Sequence, residues 1–354
     1  MKYKINNFIK KLFISRYGLY TNHINFKNDI LNNSQPLLIN SFGGLNQDKI
    51  FYVIQQDSRG RGLFSIVSAV VSHIDFALKN GFIPVVDLKN FNSEYRQSES
   101  DNVWNAYFDG PSKFTLEEVY QSKNVYFSTN TFPLGYEATI TENLNLYKCY
   151  QKYIRLNSNI DALVTKAKIE LNFSGNKILG VHFRGKESRR ARNHFLPPSK
   201  RQIYKLVDVA IKNKEYTKIF VVSEDPTNLL FLKKRYGDMV QFLEMPRARF
   251  MNTYRYADEY RPNHRYKLGE EVLQEMQMLS ECNGFIGCVS NISNFAIFIN
   301  QNKFQDCVVI KNPQNSKFPI ISMLKWYVMN LFPNTMLGFK DFKFEDDGKK
   351  KLIS

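Results

Sequence analysis

Between Lys177 and Ile310, short apolar runs of strand formers alternate with stretches of helical periodicity, and this alternation constrains the fold more than any other feature. Strands are expected at 177–184, 218–223, 239–243, 284–289 and 307–310, with helices at 200–213, 226–236, 269–282 and 291–300 between them. On the first of these helices Ile203, Leu206, Val207 and Ala210 share one face, and Gly237 closes the second. Strands and helices of this length in strict alternation imply a doubly wound parallel sheet. A less regular β-α-β unit precedes it: strand 49–56, a glycine-bearing turn at Arg59-Gly-Arg-Gly62, a helix to Asn80 ended by Gly81, and strand 82–88. A short strand at 124–128 and helical sequence over 140–171 follow. The chain is therefore expected to be α/β, with two Rossmann-like domains at 1–170 and 171–318 and a C-terminal helix with a charged tail at 319–354. A length of 354 residues suits two domains of ordinary size.

A formal charge of +16 and an isoelectric point near 9.5 imply attraction to something anionic: nucleic acid, a phospholipid surface or a phosphorylated small molecule. No helix-turn-helix, zinc-finger or RNA-recognition signature supports nucleic acid. Cys149, Cys282, Cys288 and Cys307 form no C-x-x-C pair and read as small buried thiols. The five histidines are dispersed and no D-x-D pair occurs, so no metal site is expected. Sparse thiols fit a reducing cytoplasm. The basic, partly apolar segment Met1–Arg16 lacks the features of a signal peptide and reads either as a helix resting on anionic lipid or as one packed on the domain. No 18-residue apolar run is available to span a membrane. The amphipathic stretch Met323–Phe332 is compatible with docking on a membrane face, but a C-terminal helix packing back across the domains is the favoured reading.

The candidate site lies at strand ends. Ile178, Leu179, Val181 and Phe183 are apolar, whereas His182, Arg184, Lys186 and Glu187 are costly to bury without a partner or ligand. The next strand ends in Ser223, Glu224 and Asp225, and a later one runs into Ser290, Asn291 and Ser293 at a helix start. Parallel strands bring such ends to one edge of the sheet, where open α/β sheets bind ligands. Cations and helix N-termini there suit a phosphate-bearing ligand. Each group alone has a plainer reading, a salt-bridge cluster for the first and a helix cap for the last. Glu275 borders the apolar stripe of its helix, and either pairs with a cation or binds a ligand hydroxyl.

His-x-Arg, then Ser223-Glu-Asp-Pro226, then an acid-bearing helix running into Leu279-Ser280, then Gly287-Cys-Val-Ser-Asn-Ile-Ser293, resembles the α1,6-/protein O-fucosyltransferase superfamily over roughly residues 175–300. The resemblance implies a GT-B-like architecture whose two domains face a central cleft. It also implies a GDP-sugar donor, GDP-fucose by default, inversion at the anomeric carbon, and no metal or other cofactor. Arg184 would hold the β-phosphate and assist departure of GDP, with His182 and Lys186 beside the phosphate or sugar. Glu224, Asp225 and Glu275 would contact guanine or ribose, near Ser223, and Ser290, Asn291 and Ser293 would bind the diphosphate. The first domain would hold a glycan or lipid-linked oligosaccharide acceptor, at the cytoplasmic face of the membrane. Departures from the family are Gly185, where many relatives carry a second arginine, Glu187 in place of the usual aspartate, and Arg192 where a base is proposed in core N-glycan enzymes. Glu187 and His194 are the nearest candidates to deprotonate the acceptor. A different reading makes the chain a basic nucleic-acid-binding protein that uses the Arg- and Tyr-rich segment Arg247–Lys267. An epimerase or dehydrogenase is disfavoured, because the glycine fingerprint and a Tyr-x-x-x-Lys arrangement are missing.

Overall fold

The structure is a computed structural model that describes residues 39–56, 62–89, 93–96, 98, 101–128, 132–133, 136, 143–190, 194–247, 261–301, 303–332, 336, 338–339 and 351–353, with Lys186, Glu187 and 351–353 as backbone alone. The expectations for Met1–Arg16, for most of the turn Arg59–Gly62 and for Arg192 lie outside these residues. The chain divides into two compact units, Met1–Asn157 and Ser158–Ser354.

The first unit carries a four-stranded sheet in the order β1-β4-β2-β3, built from β1 (Ile39–Asn40), β2 (Phe51–Ile54), β3 (Ile83–Val86) and β4 (Val125–Phe127). β2 runs parallel to β3 and β4, but β1 pairs antiparallel with β4, so this sheet is mixed where an all-parallel one was expected. The departure is confined to a two-residue edge strand, the usual place for an antiparallel strand on a parallel sheet. Helix α1 (Leu63–Lys79) links β2 to β3 and is buried over most of its surface. Gly81 ends it at φ +73, a left-handed turn that other residues adopt at a cost. Helices α2 (Leu116–Val119) and α3 (Leu144–Tyr153) complete the unit.

The second unit carries six strands in the order β10-β9-β8-β5-β6-β7, all parallel. These are β5 (Ile178–His182), β6 (Lys218–Val222), β7 (Val240–Gln241), β8 (Gly284–Cys288), β9 (Asp306–Ile310) and β10 (Lys351–Ile353). Helix α4 (Ser158–Glu170) leads into β5; α5 (Lys200–Lys214) and α6 (Pro226–Tyr236) carry the chain from β5 to β7. Helix α7 (His264–Ser280) returns it to β8, on the other side of β5, and α8 (Asn291–Asn300) leads on to β9. The winding direction thus reverses between β5 and β8, and the gap beyond their carboxyl ends is the topological switch point. Leu179, Val181, Ile219, Val221 and Ile286 pack with Ile203, Leu206, Val207, Leu229 and Leu232 in one core, which fixes the strand ends relative to one another. Helix α7 begins five residues before the expected Gly269, because buried His264 and Leu268 and the Arg261–Glu271 pair hold its first turn. Helix α9 (Pro319–Leu331) starts with proline at its first turn and rests on the unit through Ser322 and Trp326. Cys149, Cys282 and Cys288 are buried free thiols; burial raises Cys282 well above its ordinary range and Cys288 to about 12. Among the described residues no helix is long and apolar enough to cross a membrane.

Candidate functional site at the switch point of the second sheet

His182 is the last residue of β5, and its burial among strand ends puts its ring against the start of α8. Nδ1 lies 2.8 Å from Ser293 Oγ and 3.3 Å from Ser290 Oγ. Ser290 caps α8 by accepting from the Ser293 amide at 3.2 Å, and its hydroxyl donates to Ser293 Oγ at 3.2 Å. Gly287 makes this close packing feasible, since a Cβ there would stand 2.6 Å from the Phe285 ring and 3.0 Å from Ser293 Oγ. Burial, reinforced by the neighbouring Arg184 cation, depresses His182 to a pKa of about 3, so the ring is neutral at physiological pH. The cap and the functional reading of Ser290 therefore coexist: the serines orient both the imidazole and the N-terminus of α8.

Arg184 follows two residues later and is half-buried. One guanidinium nitrogen donates to the Val289 carbonyl at 3.4 Å, just past β8, and the other lies 3.3 Å from His194 Nδ1. A guanidinium only donates, so that imidazole nitrogen is the unprotonated, accepting one. His194 therefore steadies Arg184. Gly185 explains one departure from the family pattern. A Cβ at this position would lie 3.0 Å from Asp225 Cβ and Glu224 Cγ, so a side chain here would crowd both acids.

The turn after β6 is knitted to the same edge. Asp225 caps α6 by accepting from the Thr227 amide at 2.9 Å, and Ser223 Oγ accepts from the Asp225 amide at 3.1 Å. Buried Asn228 donates to the Phe183 carbonyl and to Ser223 Oγ, both at 3.2 Å, and so ties the ends of β5 and β6 together. Glu224 is half-buried in this turn, while Asn291 and His194 are exposed. Lys186 and Glu187 open a short 3-10 turn, Lys186–Arg190, directly after Gly185.

Of the two roles open to Glu275, the structure shows the pairing. Arg247 donates to it at 2.8 Å, with only 6% and 8% of the two side chains exposed. The same guanidinium donates to the Leu243 carbonyl at 2.9 Å and to the Ser223 carbonyl. Burial raises Glu275 to about 7, against the opposing pull of Arg247. Asn228 was not singled out from sequence, and Arg247 was read only as part of a nucleic-acid contact segment, not as a partner of this site. Asn228 sits three residues past a helix cap, a position that marks a first-turn polar group but gives no sign of its burial. Arg247 follows Pro246 and its partners lie 4, 24 and 28 residues away, beyond local pattern. The nucleic-acid reading loses two of its cations here, since Arg247 is buried and Arg261 is held bidentately by Glu271 at 2.6 and 2.8 Å. Residues 248–260 of that segment lie outside the described ones.

Ser290 and Ser293 thus hold His182, Arg184 follows two residues on, its neighbour Gly185 packs close to Glu224 and Asp225, and Arg247 joins the Ser223 carbonyl to Glu275. Among the described residues no group of three or more His, Cys, Asp or Glu side chains is arranged to hold a metal ion.

No protein-family model matches the chain, and neither does any curated protein sequence. Solved structures do. The Bradyrhizobium fucosyltransferase NodZ superimposes with a TM-score of 0.50 at 15% identity, over 73% of this chain and 93% of that one. NodZ α-1,6-fucosyltransferase soaked with GDP-fucose gives 0.48 at 16% identity, over 71% and 93%. A point mutant of Arabidopsis thaliana FUT1 in complex with GDP gives 0.45 at 12%, over 77% and 73%. At 15% identity the NodZ superposition establishes likeness of fold: this chain has the GT-B-like α/β fold of that fucosyltransferase.

Proposed function

We propose that the chain is an inverting glycosyltransferase that moves a sugar from a GDP-sugar, GDP-fucose by preference, to a glycan acceptor in surface polysaccharide or lipooligosaccharide synthesis in the cytoplasm. One observation carries the reading: a half-buried arginine, a neutral histidine and a capped helix N-terminus meet at the switch point of a parallel sheet. The fold shared with a fucosyltransferase supports the class of reaction.

In this reaction the acceptor oxygen bonds to the anomeric carbon from the face opposite the diphosphate. The bond from that carbon to the β-phosphate oxygen breaks, its electron pair leaves with GDP, and the acceptor hydroxyl gives its proton to a base. Negative charge grows on the departing phosphate, and Arg184 with the first-turn N–H groups of α8 would meet it without a divalent cation. His182, held neutral, adds no second positive charge that would need compensation in the empty site, and can share a hydrogen bond with the phosphate region. His194 turns its accepting nitrogen to Arg184, so Glu187 is left as the candidate base. Ser223, Glu224 and Asp225 border the position for ribose or guanine. Glu275 acts through Arg247, by holding the Ser223 carbonyl.

Two measurements test this. Among GDP, UDP, CMP and dTDP, GDP alone should raise the melting temperature, since a ligand at 100 times its Kd stabilises the native state by about 2.7 kcal/mol. Arg184→Ala should fold normally and lose on the order of 100- to 1,000-fold in kcat, about 3 kcal/mol or more of transition-state stabilisation. Stabilisation by another nucleotide, or near-normal turnover of the variant with its donor, would refute the assignment.

A further inference from the structure

Helix α9 has two faces of opposite character. One is anchored: the Trp326 indole donates to the Pro197 carbonyl at 3.0 Å, and the Ser322 hydroxyl donates to the Ser316 carbonyl at 3.2 Å. The Arg189 guanidinium stacks on the rings of Trp326 and Tyr327 at 4.8 and 5.0 Å. The other face presents Ile320, Ile321, Leu324, Val328 and Leu331, spaced as one helical stripe with Tyr327 at its border, with Ile320 at 69%, Leu324 at 56% and Leu331 at 77% exposure. Phe318 and Phe332 extend the stripe at its two ends, also exposed. A contiguous apolar stripe of this length on a helix fixed from behind is more than scattered surface apolarity.

The charges around the stripe say what covers it. No acidic residue occurs within Pro319–Leu331. Lys317 precedes the helix, Lys325 lies along one border with its ammonium on the Gln314 carbonyl at 3.4 Å, and Arg190 reaches Met323 at 3.5 Å on the other border. A second copy of the chain on this face would set like charges against like. A surface of anionic headgroups over acyl chains complements both features at once: apolar side chains enter the boundary and the flanking cations meet phosphate. We infer that the exposed face of α9 is a docking site for an anionic phospholipid bilayer. The inference rests on this helix and its borders, and stands apart from the transferase reading.

The helix and the turn before it also brace the segment that follows Arg184. The Asn315 side chain donates to the Ser188 carbonyl at 2.7 Å and its backbone amide donates to the His194 carbonyl at 2.8 Å, while Arg189 is stacked on α9 itself. A bilayer seated on α9 would therefore lie against an element that holds the candidate site's own loop.

The test is cosedimentation of the full chain with vesicles of phosphatidylglycerol and phosphatidylcholine, or of phosphatidylcholine alone, at low and high salt. Wild-type protein should bind the anionic vesicles, weaken as salt rises and ignore the neutral ones. Leu324→Ser/Leu331→Ser, with an unchanged melting temperature, should lower the partition coefficient at least about tenfold, and Lys317→Gln/Lys325→Gln by less. Wild-type binding retained by the leucine variant would place lipid contact elsewhere on the chain and overturn the inference. So would absent or salt-insensitive binding, or a wild-type dimer that the leucine variant converts to a monomer.

Discussion

The two sheets treat their buried polar groups differently. In the first unit they are satisfied in small local groups: Tyr52 with His73, Tyr120 and the Lys89 amide with Asp87, and Tyr136 and Lys79 with Asp75. Burial drives each of these tyrosines up, with the nearby acid adding to the effect on Tyr120 and Tyr136, so all three phenols stay protonated, and those of Tyr120 and Tyr136 donate to their acids. At the carboxyl end of β2, buried Gln56 has neither side-chain oxygen nor nitrogen hydrogen-bonded among the described residues. In the second unit the polar groups sit at consecutive strand ends and share partners: Ser223 serves Asp225 and Asn228, Ser290 and Ser293 serve His182, and Arg247 serves three acceptors. Small local groups stabilise a core a few contacts at a time. A shared network holds several groups in one geometry, as a site that must meet a developing charge requires.

The largest effect should come from the network's most connected member. Arg247→Ala strands a buried carboxylate and two backbone carbonyls, and should cost about 3–5 kcal/mol in a urea titration. The loss should depend on pH in a definite direction. Glu275 is raised above its unfolded value, so between about 4.5 and 7 the native state holds a proton that the unfolded chain has released. Its contribution is full at low pH and lost as pH rises through the native value. Without Arg247, which opposes that rise, the window extends upward, and the variant should be penalised more at pH 8 than at pH 6. Glu275→Gln in the Arg247→Ala background should recover part of the loss at pH 8. A cost below about 1 kcal/mol, with no dependence on pH, would reduce Arg247 to an isolated surface pair and dissolve the contrast between the sheets.

The second sheet was easier to read from sequence than its chemistry. Runs such as Ile178-Leu-Gly-Val181 and Phe285-Ile-Gly-Cys288 are apolar on both faces because both are covered by helices, so they announce central strands. Placing His182, Arg184, Ser223, Asp225 and Ser290 at strand ends then needs only the parallel alternation. Elements held by few local signals were lost: β1 spans two residues, and β7 shrinks to Val240–Gln241 within an expected five. The Arg247 partner that Glu275 and the Ser223 carbonyl share was equally hidden, since it lies 28 and 24 residues from them. Gly185 reads as a mere departure in sequence, and only the approach of Glu224 and Asp225 shows what a side chain would meet there.

A subtler effect concerns the imidazole. His182 is depressed to about 3, so over roughly pH 3 to 6.5 the unfolded chain binds a proton that the native state refuses. Stability from this source is whole above pH 6.5 and drains away as pH falls. His182→Gln keeps a polar side chain at the site but cannot charge, so its stability should fall less steeply from pH 6.5 to 4 than that of the parent. Glu275 contributes the opposite slope in both proteins and cancels when variant and parent are compared at each pH. Parallel curves would mean that the native state accommodates a charged His182 after all, and the neutral ring in the proposed mechanism would go with it.

The smallest expected change is a gain, and it comes from the first unit. Gln56 is 8% exposed, and its amide lacks a hydrogen-bond partner among the described residues at the end of β2. A buried polar group without a partner costs roughly 1–3 kcal/mol, and an apolar side chain of similar shape removes that cost. Gln56→Leu should therefore raise stability by about 1 kcal/mol, somewhat less than the full penalty because a branched side chain fits a linear cavity imperfectly. The sign decides the matter. Removing a hydrogen-bonded group from the second sheet's strand ends, such as Ser223 or Asn228, should destabilise, because its partners lose a bond. If Gln56→Leu destabilises as well, as read by the urea midpoint at constant m, the glutamine amide has partners of its own. The two sheet edges would then be built alike, and the second would lose its claim to being the one assembled for a ligand.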